Sequence, residues 1–335
     1  MAAKTASVGR RRVTASMVAE RAGVSVATVS YVINDTPNQT IPQATRERVL
    51  DAVRELDYAP SSAARALRLG RNDVVLLILP DWPPSLAVAQ LSDALATELS
   101  HQGLRLVTER EGARPSRTWR AVSPVAVLKF GDLAEEDADA MRAAGIMAVD
   151  RLVITQDPAH SAHFSQQAIG AAQVQHLYDR GHRSIAYAAA PGAAFRPFSD
   201  LRRLGASEAC IRLGIDAPAE WHMEDAGTEP GGWFAKALMG RGPITGVAAF
   251  NDEVAAALLA TARAKGVDVP AWLAVIGVDD QPMSRFTDPP LSSVWQNSER
   301  MAAHLSETVR ALLARKPLPA PPGADVLDVL VRSST

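Results

Sequence analysis

The chain has a single cysteine, Cys210, so no disulfide can form within it and the sequence suits a reducing compartment. No apolar run approaches the roughly 18 residues a membrane-spanning helix needs. Basic residues near the start (Lys4, Arg10, Arg11, Arg12) are followed by no apolar core, so a secretory leader is not expected. Phosphate-cradling glycine loops of the G-x-G-x-x-G or G-x-x-x-x-G-K type are missing, as is a G-x-S-x-G nucleophile elbow. His160 and His163 are close in sequence, but no third ligand stands in a plausible frame. These absences point away from a membrane protein, a nucleotide enzyme and a serine hydrolase, and no cofactor is expected.

What the chain does have is an uneven charge. Its 335 residues carry a net charge of −2, yet residues 1–72 hold eleven basic and six acidic side chains, a balance of +5. A basic head on an acidic body suggests that the head alone meets a polyanion. The length exceeds what one core usually serves, so a small domain and a larger two-lobed body are expected.

The head is organised around residues 14–34, TASMVAERAGVSVATVSYVIN. Val18, Ala19 and Ala22 form an apolar stripe, and Gly23 follows where a left-handed residue is wanted. Ser25 stands where an N-cap opens a second helix. On that helix Val29, Val32 and Ile33 recur at i, i+3 and i+4, one buried face. Ala27, Ser30, Tyr31 and Asn34 make the opposite face, whose small, hydroxyl and amide groups suit base edges and phosphates of a major groove. This pattern predicts a helix-turn-helix, with helices over residues 16–22, 26–33 and 45–56. Val49, Leu50, Val53 and Leu56 are the expected stripe of the third helix.

Residues 61–72, SSAARALRLGRN, form a basic connection whose alanines and leucines favour helix. One or two turns do not hold alone in water, so such a segment needs support to become helical. From Val74 the texture changes to alternating strand and helix. VVLLIL, residues 74–79, reads as a strand buried on both faces. The βα alternation that follows implies doubly wound parallel sheets, with helices expected at Leu86–His101, Ile169–Arg180 and Asp200–Leu213 among others. Ligands of such sheets sit outside the carboxyl ends of the strands. That rule selects Asp81 and Trp82, residues 191–198, Asn251 and Asp252, and Asp279 and Asp280. Trp82, Trp221, Trp233, Trp295, Phe195 and Phe198 are candidates for a stacking face, Trp82 foremost because a strand end delivers it.

The segments VAERAGVSVATVSYVIND and TRERVLDAVRELDYAPSSAARALR, with FNDEVA and VIGVDD later, resemble the LacI/GalR family of bacterial transcriptional regulators. The resemblance implies a three-helix headpiece (residues 14–60) behind a disordered basic tail (1–13). A hinge helix (61–72) then leads to a two-lobed periplasmic-binding-protein-like body (73–335). The expected lobes are residues 73–164 plus 295–318 and residues 166–292 plus 324–333. It further implies a cytoplasmic homodimeric repressor bound to a pseudo-palindromic double-stranded DNA operator and controlled by a small-molecule effector, sugar-like or nucleobase-like. Val26, Ala27 and Tyr31 would then enter the major groove while Thr14, Ser16, Thr28, Ser30 and Asn34 hold phosphates. In the hinge, Leu67 matches the leucine that wedges into a minor-groove step, with Ala64 beside it. Arg202 in DLRRLG, Asn251 and Asp279 match effector-contacting positions of the family, and Gln296 lies where the chain returns to the first lobe. Trp82 and Phe195 complete the expected effector set. Tyr31 departs from the arginine many members carry, and the first lobe is shorter than expected around residues 113–130. The alternatives are a binding protein or enzyme whose basic head docks a partner, or a transcriptional activator. If Leu67 is the wedge, Leu67→Ala should weaken operator binding at least tenfold while barely lowering the melting temperature; equal losses in both would reject that role.

Overall fold

The structure, a computed structural model, describes residues 13–33, 40–58, 72–79, 81, 85–112, 117–130, 133–149, 165–190, 192, 195–222, 243–320, 322 and 326–335. The chain divides into two compact units, Met1–Asn72 and Asp73–Thr335.

In the first unit, α1 (Ala15–Ala22), α2 (Val26–Ile33) and α3 (Gln43–Glu55) enclose Val18, Ala19, Ala22, Val29, Val32, Val49 and Ala52. Gly23 ends α1 at φ 65° and ψ 42°, its N–H returning to the carbonyls of Ala19 and Glu20. That left-handed conformation costs a residue with a Cβ and costs glycine little. Ser25 Oγ accepts the Thr28 N–H at 3.0 Å and so caps α2. The third helix begins two residues before its expected start, directly after Pro42, whose fixed φ suits a helix entrance. Leu50 is 38% exposed and does not belong to the stripe expected of it. At about 100° per residue, positions 49, 52, 53 and 56 share one face and position 50 rotates off it. Val53 and Leu56 do pack against this core. Arg48 reaches across to the Ala22 carbonyl at 3.4 Å, and Arg21 pairs with Glu55 at 2.6 Å.

The second unit holds two sheets. β1 (Val74–Leu79), β2 (Arg105–Arg110), β3 (Ala126–Lys129) and β4 (Met147–Val149) form a parallel sheet in the order β2-β1-β3-β4. β5 (Ile185–Ala189), β6 (Ala219–His222), β7 (Gly246–Ala249), β8 (Ala274–Val278), β9 (Ser292–Gln296) and β10 (Leu327–Leu330) form the other, in the order β10-β9-β8-β7-β5-β6. All its pairs are parallel except β9 with β10. The fold is thus a three-helix headpiece and a two-lobed α/β body of the doubly wound kind. Val75 to Ile78 are all buried, as the uninterrupted apolar run requires.

The helices of the body are α4 (Leu86–His101), α5 (Thr118–Val122), α6 (Glu135–Ala143), α7 (Gln166–Asp179), α8 (Arg196–Arg212), α9 (Asp252–Ala264) and α10 (Ser298–Leu313). α10, arriving directly from β9, packs on α4, and Gln102 ties the two through the Ser306 carbonyl (3.1 Å) and hydroxyl (2.6 Å). α7 starts three residues before its expected start because Ser165 caps it, accepting the Ala168 N–H at 3.1 Å. α8 starts four residues early, with Pro197 in its first turn.

These two helices cross at van der Waals contact. A Cβ on Gly170 would stand 1.9 Å from the Arg202 carbonyl oxygen, and one on Gly205 would stand 1.9 Å from that of Gln167. Only glycine lets the two backbones meet so closely, and the crossing fixes the backbone of Arg202 against α7. Among the described residues no helix is long and apolar enough to cross a membrane.

Candidate nucleic-acid interface and ligand cleft

Burying Val29 and Val32 settles which way the rest of α2 faces. Val26 is 47% and Tyr31 36% exposed, and Ala27 is exposed as well. Thr14 and Ser16 at the start of α1 are exposed, while Thr28 and Ser30 are half-buried. The Ser25 and Thr28 hydroxyls lie 2.9 Å apart, so Thr28 takes part in the cap as well as in the outward face. The result is a short helix with one apolar side packed and one side of small, methyl-bearing and hydroxyl groups displayed. That surface can accept thymine methyls and donate to phosphates. Asn34, Ala64 and Leu67 lie outside the described residues, as do Trp82 and Trp233.

At the carboxyl ends of β5, β7 and β8 the body gathers a second set. Arg202, only 6% exposed, donates Nε to Gln166 Oε1 at 2.7 Å and a terminal N–H to the Phe250 carbonyl. Its guanidinium lies 4.5 Å over the Phe250 ring, which in turn meets the Phe195 ring with centroids 5.7 Å apart. The Phe250 ring and carbonyl and the Gln166 amide oxygen together compensate the charge of the buried arginine. Gln296 Nε2 donates to Asp279 Oδ1 at 2.8 Å. Burial raises the pKa of Asp279, opposed by the nearby positive charge of Arg202 and by the Gln296 hydrogen bond. Arg202, Asp279, Gln296 and Phe195 are therefore assembled in one neighbourhood.

Asn251 stands at the same strand ends but spends its side-chain oxygen on the Val254 N–H at 3.0 Å, capping α9. Asp279 (φ 96°) and Asp280 (φ 45°) are consecutive left-handed residues, a costly conformation for side chains with a Cβ. Asp280 is held by Arg332 at 2.5 Å and Arg285 at 3.6 Å, and its N–H donates to Ser293 Oγ at 3.0 Å. Beside these residues opens a cavity of about 380 Å³, lined in part by Gln90, Asp279, Asp280, Arg285, Phe286 and Trp295. Trp295 is thus, among the described residues, a tryptophan placed at a ligand-sized space. Trp221 and Phe198 are core residues and supply no stacking face, because β6 and α8 turn them into the packed side of the sheet.

Several members of the set have no local signature. Gln166 and Phe250 join it only through the fold. Lys129, at the carboxyl end of β3, is buried and pairs with Glu111 at 2.8 Å, while Asp81 pairs with Arg110 at 2.7 Å. The strand-end rule reaches Lys129, but a lysine closing an apolar run reads in sequence as a solvated strand end. Asp252 is structural: fully buried, it accepts from the Gln281 N–H (2.7 Å), Ser284 Oγ (2.6 Å) and Ser293 Oγ (2.7 Å), binding the segment after β8 to α9. Among the described residues no group of three or more His, Cys, Asp or Glu could hold a metal ion.

Comparison with known proteins bears on the family and the fold. The family described as bacterial regulatory proteins, lacI family, matches residues 16–61, and the periplasmic binding protein-like domain matches residues 174–335. The HTH-type transcriptional regulator GntR of Pseudomonas aeruginosa is 31% identical over 319 residues, covering 91% of this chain and 90% of its own. The Lac repressor dimer bound to operator and an anti-inducer superposes with a TM-score of 0.75 at 23% identity, covering 97% of this chain and 99% of that one. A complex of the regulator CelR with cellobiose gives a TM-score of 0.63 at 25% identity, covering 97% and 100%.

The buried acid yields a test of the body. Burial pushes the Asp252 carboxyl up to about 6 from 3.8, against the pull of its three donors. The folded body therefore keeps a proton that the unfolded chain releases at lower pH. Stability from that proton is complete below pH 3.8 and is lost as pH rises through about 6. Measured by urea unfolding, the stability of the wild type relative to Asp252→Asn should fall by roughly 2–3 kcal/mol between pH 4 and pH 7. A difference that does not change with pH would contradict this account.

Proposed function

The chain belongs to the lacI family of bacterial regulatory proteins, and on that premise we propose which of its residues read DNA and which receive the controlling ligand. It is a DNA-binding transcriptional regulator and not an enzyme. Our reading makes it a cytoplasmic repressor that works as a homodimer on the nucleoid. Residues 14–60 serve as its DNA-binding domain, residues 61–72 as its hinge and residues 73–335 as its effector and dimerisation body.

The observation that carries the reading is the two-faced α2. With Val29 and Val32 buried, Val26, Ala27 and Tyr31 are left to enter the major groove. Thr14, Ser16, Thr28, Ser30 and Asn34 contact phosphates and fix the register. Two headpieces on adjacent half-sites about one helical turn apart, 10–10.5 base pairs, call for a pseudo-palindromic operator. Ala64 and Leu67 occupy the minor groove between them.

The effector is a hydroxyl-rich, sugar-like molecule, taken between the lobes by Arg202, Asp279, Gln296 and Asn251, with Trp82 and Phe195 as apolar walls. The pairing of a forked donor with a carboxylate acceptor supports that class, since a diol can accept from one and donate to the other. The solved CelR relative holds cellobiose. A ligand that favours one lobe angle over another then shifts operator affinity by its differential binding, typically about 1–3 kcal/mol.

Two substitutions test the two ends of the molecule. Tyr31→Ala should relax base preference at one symmetric pair of positions in a randomised-operator selection, with the other positions unchanged; an unaltered consensus would remove Tyr31 from the groove. Arg202→Ala should abolish the melting shift produced by a panel of neutral sugars headed by cellobiose and leave ligand-free operator affinity within about twofold. A persistent shift would take Arg202 out of the ligand site.

A further inference from the structure

We propose that Gln173, a fully buried glutamine on α7, is a positioning residue of the ligand cleft. Its amide bridges β7 and β8 where their pairing stops, and so sets the places from which Phe250 and Asp279 emerge. The link to ligand rests on the reading of the cleft given above; the link to the strand ends does not.

The ladder between β7 and β8 runs through Gly246 with Ala274, Val247 with Val275 and Ala248 with Ile276, and ends there. β8 continues beyond that point against β9, as far as Val278 with Val294. The two strands thus part company one residue before β7 ends, and carbonyls that a ladder would satisfy are left at the fork. Gln173 fills it. Its Nε2 donates to the Ala249 carbonyl at 2.7 Å on β7, and to the Ile276 and Gly277 carbonyls at 3.2 and 3.3 Å on β8. A primary amide has two N–H groups, so one serves β7 and the other is shared by the pair on β8.

Each bridged strand leads directly into the cleft. Phe250 follows Ala249, and both its carbonyl and its ring hold Arg202. Asp279 lies two residues beyond Gly277 and is held by Gln296. Gln166, seven residues before Gln173 and so two turns along the same helical face, holds Arg202 from the other side. Between them Gly170 seats α7 on the Arg202 backbone. One helix therefore fixes the arginine and the two strand ends that oppose it.

Packing alone does not account for a glutamine here. Its Oε1 accepts no hydrogen bond among the described residues, so half of the amide is left unpaired in the core. A methionine would fill the same volume without that cost. What the glutamine adds is the donor pair.

The test is amide hydrogen exchange on the full chain without ligand, comparing wild type, Gln173→Met and Leu177→Ala. Leu177 is a fully buried residue of the same helix that makes no such bridge, and its truncation controls for general loosening. In Gln173→Met, amides at 250–252 and 279–281 should exchange at least tenfold faster, with β5 unchanged. Leu177→Ala should spare those two strand ends. Unchanged exchange at them in Gln173→Met, or equal acceleration in Leu177→Ala, would overturn the proposal. If Gln173→Met does not fold, Gln173→Asn takes its place with the same expectation, its amide being one methylene short of the carbonyls. Titration in parallel with the panel of neutral sugars headed by cellobiose keeps the two readings apart. A wild type that responds to no sugar counts against the cleft as an effector site, while the exchange result still decides whether Gln173 positions the strands.

Discussion

An eight-residue helix does not hold itself together in water. α2 persists because Val29 and Val32 are sealed beneath α1 and α3 and because Ser25 caps its first turn. That one packing constraint decides the head. Once two valines on one side are committed to the core, Ala27 and Tyr31 on the far side have nowhere to go but outward, and Val26, at the open first turn, is left 47% exposed. The face we propose for reading a duplex is therefore the by-product of the face that folds. Gly23 sets the turn between the helices, and the contacts of Arg48 with the Ala22 carbonyl and of Arg21 with Glu55 tie α3 to α1.

The body applies the same economy to a charge. Arg202 is buried, and a buried guanidinium has to be compensated by its surroundings. Here it is compensated by Gln166 of α7 and by both the carbonyl and the ring of Phe250, the residue that follows β7. The glycine crossing of α7 and α8 brings these elements within reach. Asp279 stands near enough for the Arg202 charge to oppose the effect of its burial. If a polar ligand binds here as proposed, it meets groups already oriented, and less ordering entropy is lost on binding.

Where a signal was local, the chain announced it. Val29 and Val32 of α2, with Ile33 partly buried beside them, Gly23, Ser25 and the unbroken VVLLIL run all took the predicted structural roles. The strand-end rule and the family resemblance together reached Arg202, Asp279 and Gln296, which the fold brings together. What escaped was set by tertiary contacts. β4, β6 and β10 have three or four residues each, too few for an alternation to register. Trp221 and Phe198 looked like stacking candidates because composition does not say which side of a sheet a ring will face. Gln166 and Gln173 are ordinary glutamines of a helix until α8, β7 and β8 surround them. Leu50 illustrates the limit within a helix, since a neighbour of a core residue is apolar yet turned outward.

The most direct measurement is the affinity of the purified full chain for duplexes chosen from a randomised library, taken at several salt concentrations. The account predicts enrichment of a pseudo-palindrome, bound at least about a thousandfold more tightly than random duplex. It also predicts affinity falling steeply on a log–log salt plot as condensed counterions are released. Equal affinity for every duplex at moderate salt, with or without sugar present, would contradict it.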